Sequence, residues 1–359
     1  MKIGIFTFHS ALNYGAVLQA YALQEYLKEQ GHDVYIIDYR PKYLTKPYSL
    51  FRMESQGSSL LSLLKAFIRM LLVIPIRLKR RRAFRKFVDH YLNMMSLDLS
   101  DTSNCFDAFI FGSDQIWNTK ITSGIDAVYC GDFNAARNKT LVSYAASCGD
   151  VSIIDNNTFA YLTDRLRNFS KVGIREKALV QVLNNKTLNA THVIDPVLLA
   201  GRDVFQKIMS PVNIGNMPYL LFFSLGREEI AVPIAYKVAN KLNLRVIEVI
   251  SSKESIFQSN IMQTLSPEQF IGYIANAEYI ITTSFHGTAF SILFKKNFTS
   301  VIPSSTNDDR IISLLEQLGL ESRYVHSSDE NVCTSPIDYN EVSIKYHALR
   351  KYSEDFIRF

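Results

Sequence analysis

Short apolar runs alternate along this chain with longer stretches of helical spacing, and the alternation by itself predicts a fold class. Residues 2–8 (KIGIFTF) make a continuous β-rich apolar run, the pattern of a strand covered on both faces. Asn13 stands as an N-cap before AVLQAYALQEYLKEQ, whose helical pattern stops at Gly31, and residues 33–38 (DVYIID) supply the next strand. This strand, helix and strand, closing at Arg40 and Pro41, predict a parallel pair with a right-handed crossover and hence a doubly wound α/β sheet. Further strands are predicted at 108–111, 141–145, 171–174 and 192–194, with helices near 159–168 and 176–183.

The pattern restarts after the polar, proline-containing stretch 210–218. Residues 219–224 (YLLFFS) predict a strand, Gly226 a turn, 228–242 an amphipathic helix and 245–250 another strand. Ser266, Pro267 and Glu268 read as N-cap, first-turn proline and early acid of a helix that leads into the strand 278–282 (EYIIT). The loop Thr283-Ser284-Phe285-His286-Gly287 follows, then a helix at 288–294, a strand at 298–302 and a helix at 311–318 ended by Gly319. The expected architecture is α/β, with two Rossmann-like domains at 1–205 and 206–336. A helical tail at 337–359 is expected to pack back on the first.

One segment breaks the alternation. Residues 42–95 carry no strand signal, and LLSLLKAFIRMLLVIPI (60–76) runs directly into RLKRRRAFRKF. Lys65, Arg69 and Pro75 interrupt the apolar part, which falls short of the ~20 residues a membrane-spanning helix needs. A helix carrying Arg77, Lys79, Arg80, Arg81, Arg82, Arg85 and Lys86 suits a surface of anionic lipid headgroups or phosphates; the alternative is a helical insertion with solvated arginines. Much of the net charge of +5 is concentrated here. No recognised nucleic-acid-reading motif accompanies it, so nucleic acid is not an expected partner.

With 359 residues, 47% of them hydrophobic and 20% charged, the chain can build two cores. Cys105, Cys130, Cys148 and Cys333 are scattered, with no spacing that suggests a zinc site or a disulfide framework. The N-terminal run lacks the h-region and cleavage site of a signal peptide, so a cytoplasmic location is expected.

Candidate chemistry collects at predicted strand ends, where open α/β sheets bind ligands. His286 falls where a strand gives way to a helix, a place for an anion-binding donor or a proton donor, with Thr283 and Ser284 as further donors and Gly287 allowing close backbone approach. A helix-capping or core histidine is the competing reading. Gly112-Ser113-Asp114-Gln115-Ile116-Trp117-Asn118 follows another strand and gathers polar side chains around the one tryptophan of the chain. It reads as a sugar-binding loop with Asp114 as base and Gln115, Trp117 and Asn118 on the acceptor, or as a turn shaped by its own side chains. Asn13 and Tyr14 close the first strand beside Gly15, where small residues let backbone amides face a ligand, and are read as acceptor-binding, without the GxGxxG spacing of a dinucleotide site. Arg175 and Arg310 lie near strand-to-helix junctions and can clamp a carboxylate or phosphate, or pair with neighbours such as Glu176.

Six blocks in order, NYGAVLQAYAL, FGSDQIWN, SYAAS, VGIREKAL, VIDPVLL and TSFHGTAFSILFKKNF, resemble the polysaccharide pyruvyl transferase family over nearly the whole chain. The resemblance implies a GT-B-like pair of domains facing a cleft. It also implies transfer of pyruvate from phosphoenolpyruvate to a sugar of a cell-surface glycan or lipid-linked precursor, as a ketal, with no metal or cofactor required. By motif, His286 resembles the donor-site histidine and Arg175 the arginine on the donor anion. Well-known members carry Arg-Leu-His-Gly where this chain has Ser284-Phe285-His286-Gly287; Arg310 and Arg227 are candidate replacements for the missing cation. The same architecture would also house a nucleotide-sugar glycosyltransferase or a non-catalytic glycan-binding relative.

Overall fold

Both alternating stretches close into parallel sheets. The computed structural model describes residues 1–53, 59–212, 215, 217–226, 229–251, 261–303, 308–328 and 330–359. The first sheet contains β1 (Lys2–Phe6), β2 (Asp33–Ile37), β3 (Met94–Met95), β4 (Ala108–Phe111), β5 (Thr140–Ala146), β6 (Lys171–Ile174) and β7 (Ala190–His192), in the order β3-β2-β1-β4-β5-β6-β7. Its helices are α1 (Tyr14–Glu29), α2 (Lys42–Thr45), α3 (Leu60–Tyr91), α4 (Thr119–Thr122), α5 (Asn156–Leu166), α6 (Lys177–Asn184), α7 (Pro196–Ala200) and α8 (Arg202–Gln206).

The second sheet contains β8 (Tyr219–Ser224), β9 (Arg245–Ile250), β10 (Ile261–Met262), β11 (Tyr279–Thr282), β12 (Asn297–Val301) and β13 (Tyr324–Val325), in the order β10-β9-β8-β11-β12-β13. With it come α9 (Ala231–Leu242), α10 (Pro267–Asn276), α11 (Phe285–Leu293) and α12 (Asp309–Leu318), and α13 (Tyr339–Ile357) ends the chain. In each sheet the strand order reverses beside the first strand, β1 lying between β2 and β4, and β8 between β9 and β11. Connections leave in opposite directions at such a point and open a crevice at the carboxyl ends of the strands.

Strands buried on both faces explain the unbroken apolar runs: every residue of β4 and β8 is buried. One continuous core joins the domains, with Ile3, Ile110 and Val17 from the first and Leu221, Phe270 and Ile280 from the second. Tyr14 is its bridge. The ring is fully buried, stacks on Phe270 at 4.4 Å and 9°, and the hydroxyl donates to the Leu265 carbonyl at 3.1 Å. The expectation that Tyr14 contacts an acceptor is thereby corrected, because nothing of the ring reaches solvent. From α13, the Tyr346 hydroxyl donates to the Leu198 carbonyl and Arg350 Nε to the Leu199 carbonyl at 2.8 Å, tying the tail to the first domain.

Three expectations of local structure are also corrected. Residues 42–95 do contain a strand: Ile36 and Ile37 of β2 pair with Met94 and Met95, too short a run to register as a pattern. The strand expected at 192–194 lies earlier, at Ala190–His192, and 193–195 form the turn into α7. Nor is the basic run wholly outward. Arg80 is buried and donates from Nη2 to the Leu12 carbonyl and to Ser251 Oγ, and Arg77 donates to the carbonyls of Leu50 and Arg52.

His192, at the end of β7, adds a pH dependence. Burial, with Lys177 nearby, pushes its imidazole down to about 4, while Nε2 contacts the Arg175 carbonyl at 3.1 Å. A histidine whose folded pKa is depressed takes up its proton first in the unfolded chain, so stability falls as pH drops from the unfolded value of about 6.5 to about 4. His192→Gln should remove a loss of roughly 3 kcal/mol across that window. Denaturant midpoints of both proteins at pH 7 and pH 4 measure it.

Candidate active site at the domain junction

Asp195 is the centre of the polar cluster. It follows β7 and caps α7, its Oδ1 accepting from the Val197 amide at 2.9 Å, and Pro196 fills the first helical position. Its Oδ2 accepts from Arg175 Nη1 at 2.8 Å and from Ser113 Oγ at 3.0 Å, and lies 3.6 Å from His286 Nε2. Burial alone would raise this carboxyl; His286 and Arg175 outweigh burial and hold it well below the usual carboxylate range.

Arg175 leaves β6 with its side chain 2% exposed and reaches toward Asp114 Oδ1 at 3.9 Å. Its guanidinium also lies over the Phe285 ring, 4.7 Å from the centroid. Nε and Nη2 have no hydrogen-bond partner among the described residues, and the same holds for Nε2 of His286. Buried polar nitrogens left in this state are costly unless something else binds them.

Asp114 is brought here by irregular backbone on two neighbouring strands. It adopts φ 76, and the pairing of β5 with β6 shifts register between Ser143 and Ala146, where Ala145 has φ 49. An isolated bridge joins Asp114 to Ala146. The distortion re-aims the loop after β4 at the carboxyl edge, a recurrent use of bulges beside functional sites.

His286 lies in the first turn of α11, with its side chain 9% exposed, at the junction rather than inside an apolar core. Its ring rests on Gly15 at the start of α1: a Cβ on Gly15 would come within 2.1 Å of Nδ1 and 2.4 Å of Cγ. Each domain thus contributes to the placement of this ring. Gly15→Ala should displace the imidazole by about an ångström and lower kcat/KM about 100-fold, measured by transfer kinetics alongside a melting curve.

The structure brings His286, Arg175, Asp114 and Ser284 to this junction, and gives other predicted residues different work. Gly287 approaches protein, not ligand: a Cβ there would meet Thr282 Oγ1 at 2.2 Å. Ser284 is buried at the N-cap of α11 but makes no side-chain capping bond, so the first-turn amides of α11 lack the cap that Asp195 gives α7. Arg310 lies over the Phe285 ring, 5.6 Å from its centroid, beside Arg175, and pairs with Asp308 through two bonds, Nε to Oδ1 at 2.8 Å and Nη2 to Oδ2 at 2.6 Å, so it reaches the junction as an ion-paired cation. Arg227 lies outside the described residues.

Of the residues read as acceptor-binding, Trp117 is fully buried and its indole N–H donates to the Tyr129 carbonyl at 3.1 Å, which corrects its assignment to a sugar ring. Asn118 caps α4 and donates to Gln115 Oε1, so these two shape the loop with each other. Asn13 caps α1, accepting from the Gly15 amide at 2.9 Å. A cavity of about 350 Å3 opens in the first domain after β1, bordered by His9, Arg40, Tyr48, Arg81 and Arg85. Within it His9 Nε2 is 3.0 Å from Asp38 Oδ1, and that contact, with Arg40, holds Asp38 down at about 2.

Sequence reasoning missed Asp195 and Glu176. Asp195 had a signal, the Asp-Pro pair directly after a predicted strand, which is a cap at a sheet's carboxyl edge. Glu176 Oε1 accepts from Ser147 Oγ and from the Gly149 amide at 3.0 Å, while Oε2 is buried without a hydrogen-bond partner among the described residues. Burial pushes its carboxyl up, and Arg175 and Ser147 pull it part of the way back.

Two Rossmann-like domains meet here over a polar cluster at their strand ends, a GT-B-like architecture. The profile of the polysaccharide pyruvyl transferase family matches residues 13–305, and the chain belongs to that family: it is a transferase acting on polysaccharide. Among solved structures it is similar to the Staphylococcus aureus MnaA–UDP complex (TM-score 0.47, 10% identity, 99% of this chain and 92% of that one covered). It is similar too to UDP-GlcNAc 2-epimerase from Neisseria meningitidis bound to UDP-GlcNAc (0.46, 11%, 99% and 93%) and to Escherichia coli heptosyltransferase WaaC with ADP (0.39, 12%, 99% and 99%). No curated protein sequence matches the chain significantly.

Proposed function

We propose that this transferase moves a pyruvyl group from phosphoenolpyruvate to a sugar of a cell-surface polysaccharide or its precursor, forming a ketal. The observation that carries the reading is that His286 Nε2 and Arg175 Nε and Nη2 lie buried around Asp195 with no hydrogen-bond partner among the described residues, all within the stretch that matches the family.

The chemistry needs a proton delivered to the methylene carbon of the donor, which becomes the methyl group and leaves an oxocarbenium-like centre at C2. One sugar hydroxyl adds there and loses its proton, the C2–O bond to phosphate breaks to release inorganic phosphate, and a second hydroxyl closes the ketal with loss of its own proton. His286 serves the proton or the leaving phosphate, Arg175 the donor carboxylate or phosphate, and Asp114, the most exposed carboxylate of the cluster at 15%, takes a hydroxyl proton. The uncapped amides of α11 add positive potential toward the phosphate. The cavity beside His9 receives the acceptor.

Phosphoenolpyruvate at about 100 times its Kd should stabilise the protein by roughly 2.7 kcal/mol, seen as a rise in melting temperature, and inorganic phosphate should appear once acceptor is added. Stabilisation by a nucleoside diphosphate and none by phosphoenolpyruvate would instead establish a nucleotide-sugar enzyme.

A further inference from the structure

Among the described residues, exposed apolar side chains gather on α3. Leu60, Leu64, Phe67 and Leu71 follow one another at helical spacing and form a single stripe, with Leu61, Ile68 and Leu72 along its edge. All seven are exposed, from 85% at Leu60 to 47% at Phe67. Ala66, Met70, Val73, Arg80, Phe84 and Phe87 are the buried residues of the same helix. They recur at the same spacing on the opposite side, so the body of the protein is already packed against the other face. Phe51 and Met53, just upstream, are exposed as well.

Followed along the helix, the outward stripe changes character. Four and eleven residues beyond Leu71 stand Pro75 and Arg82, and Lys79, Arg81, Arg85 and Lys86 are exposed around Arg82. No Asp or Glu occurs from residue 60 to residue 88. An apolar half followed by a cationic half on one face, closed by a single acid, Asp89, which pairs with Arg85 at 3.4 Å and leaves Lys79, Arg81, Arg82 and Lys86 in excess, complements a surface that is itself apolar within and anionic at its rim.

We propose that this face of α3 docks on an anionic phospholipid bilayer. The half from Leu60 to Leu72, roughly 20 Å of helix, lies at the boundary of headgroups and acyl chains, and the half from Lys79 to Lys86 lies on the headgroup phosphates. The helix lies in the plane of the membrane and does not cross it; among the described residues no helix is long and apolar enough to do so. Arg81 and Arg85 belong both to this stretch and to the rim of the acceptor-side cavity, so docking brings that cavity to headgroup height, where an acceptor carried on a lipid would present its sugar. The proposal stands whether or not phosphoenolpyruvate is the donor.

Sedimentation of the full chain with vesicles tests it. Vesicles with about one third phosphatidylglycerol should bind the protein at least 10-fold more tightly than pure phosphatidylcholine vesicles, and 0.5 M salt should reduce the difference. Leu64→Ser/Phe67→Ser/Leu71→Ser should weaken binding to anionic vesicles about 100-fold. Arg82→Gln/Arg85→Gln/Lys86→Gln should abolish the preference for anionic over neutral vesicles. Both variants alter exposed side chains, and their melting curves should match the parent. Equal binding to the two kinds of vesicle, or binding unchanged in the serine variant, overturns the proposal. So does a concentration-dependent dimer that the serine variant dissolves while the parent ignores vesicles, which would assign the face to a second copy of the chain.

Discussion

Replacing His286 with alanine is expected to lower kcat/KM for pyruvyl transfer about 1000-fold while costing the fold only about 1–2 kcal/mol. The separation follows from where the ring sits. Its side chain is 9% exposed, at a junction of two domains whose apolar contacts are made elsewhere, chiefly by Tyr14 on Phe270 and Phe223. Its Nε2 makes no hydrogen bond among the described residues, and Asp195, 3.6 Å away, keeps Arg175 and Ser113 as partners when the ring is truncated. His286→Gln separates the two roles left open for this residue. Glutamine keeps an N–H close to the position of Nε2 but cannot deliver a proton at neutral pH. If the glutamine variant falls as far as the alanine variant, the imidazole is the proton donor; if it recovers to within about 10-fold of the parent, the ring only binds the leaving phosphate. An alanine variant that is folded and fully active would remove His286 from the chemistry altogether.

The alternation of strands and helices is legible from sequence because parallel strands covered on both faces must be apolar throughout, and runs such as YLLFFS admit few other readings. Caps are legible for a similarly local reason. Asn13 accepts from an amide two residues on, and Ser266 with Gln269 forms a reciprocal capping box, so each signal lies within a few residues of its partner. The site is less so. Asp195 works by meeting Ser113, Arg175 and His286, residues separated from it by as many as 91 positions, and no local pattern marks such a meeting.

Aromatic and small residues mislead for a related reason. Trp117 lies among polar neighbours and reads as a sugar platform, yet its loop folds so that the indole faces Tyr129 and the core. Gly287 and Gly15 both read as room for a ligand and are instead room for Thr282 and His286. In α3 the apolar residues of the first half occur on all sides, so spacing could not show which would be buried; the separation into a packed face and a bare one appears only once the helix lies against the body of the protein.

Asp195 carries the second large expected effect, and it is one of stability before chemistry. Asp195→Ala leaves the Arg175 guanidinium buried with, among the described residues, only Asp114 in ion-pair range, at 3.9 Å, and removes the cap of α7. Breaking a buried pair from one side costs about 3–5 kcal/mol, and loss of a cap about 1 kcal/mol more, so the alanine variant should unfold at a far lower urea concentration. Asp195→Asn keeps the volume and the oxygen that caps α7 but turns an amide toward donors that need an acceptor, and it should lower kcat/KM at least 100-fold with a smaller loss of stability. Since Asp195 acts through Arg175 and His286, it is a positioning residue, and a double variant distinguishes that role from a purely structural one. Arg175→Met combined with Asp195→Leu removes both charges and fills the space, which should restore most of the stability lost in Asp195→Ala. Activity should stay absent. Restored stability with restored transfer would mean that the pair is scaffold only, whereas stability that stays lost would show that Asp195 matters mainly as the cap of α7 and the acceptor for Ser113.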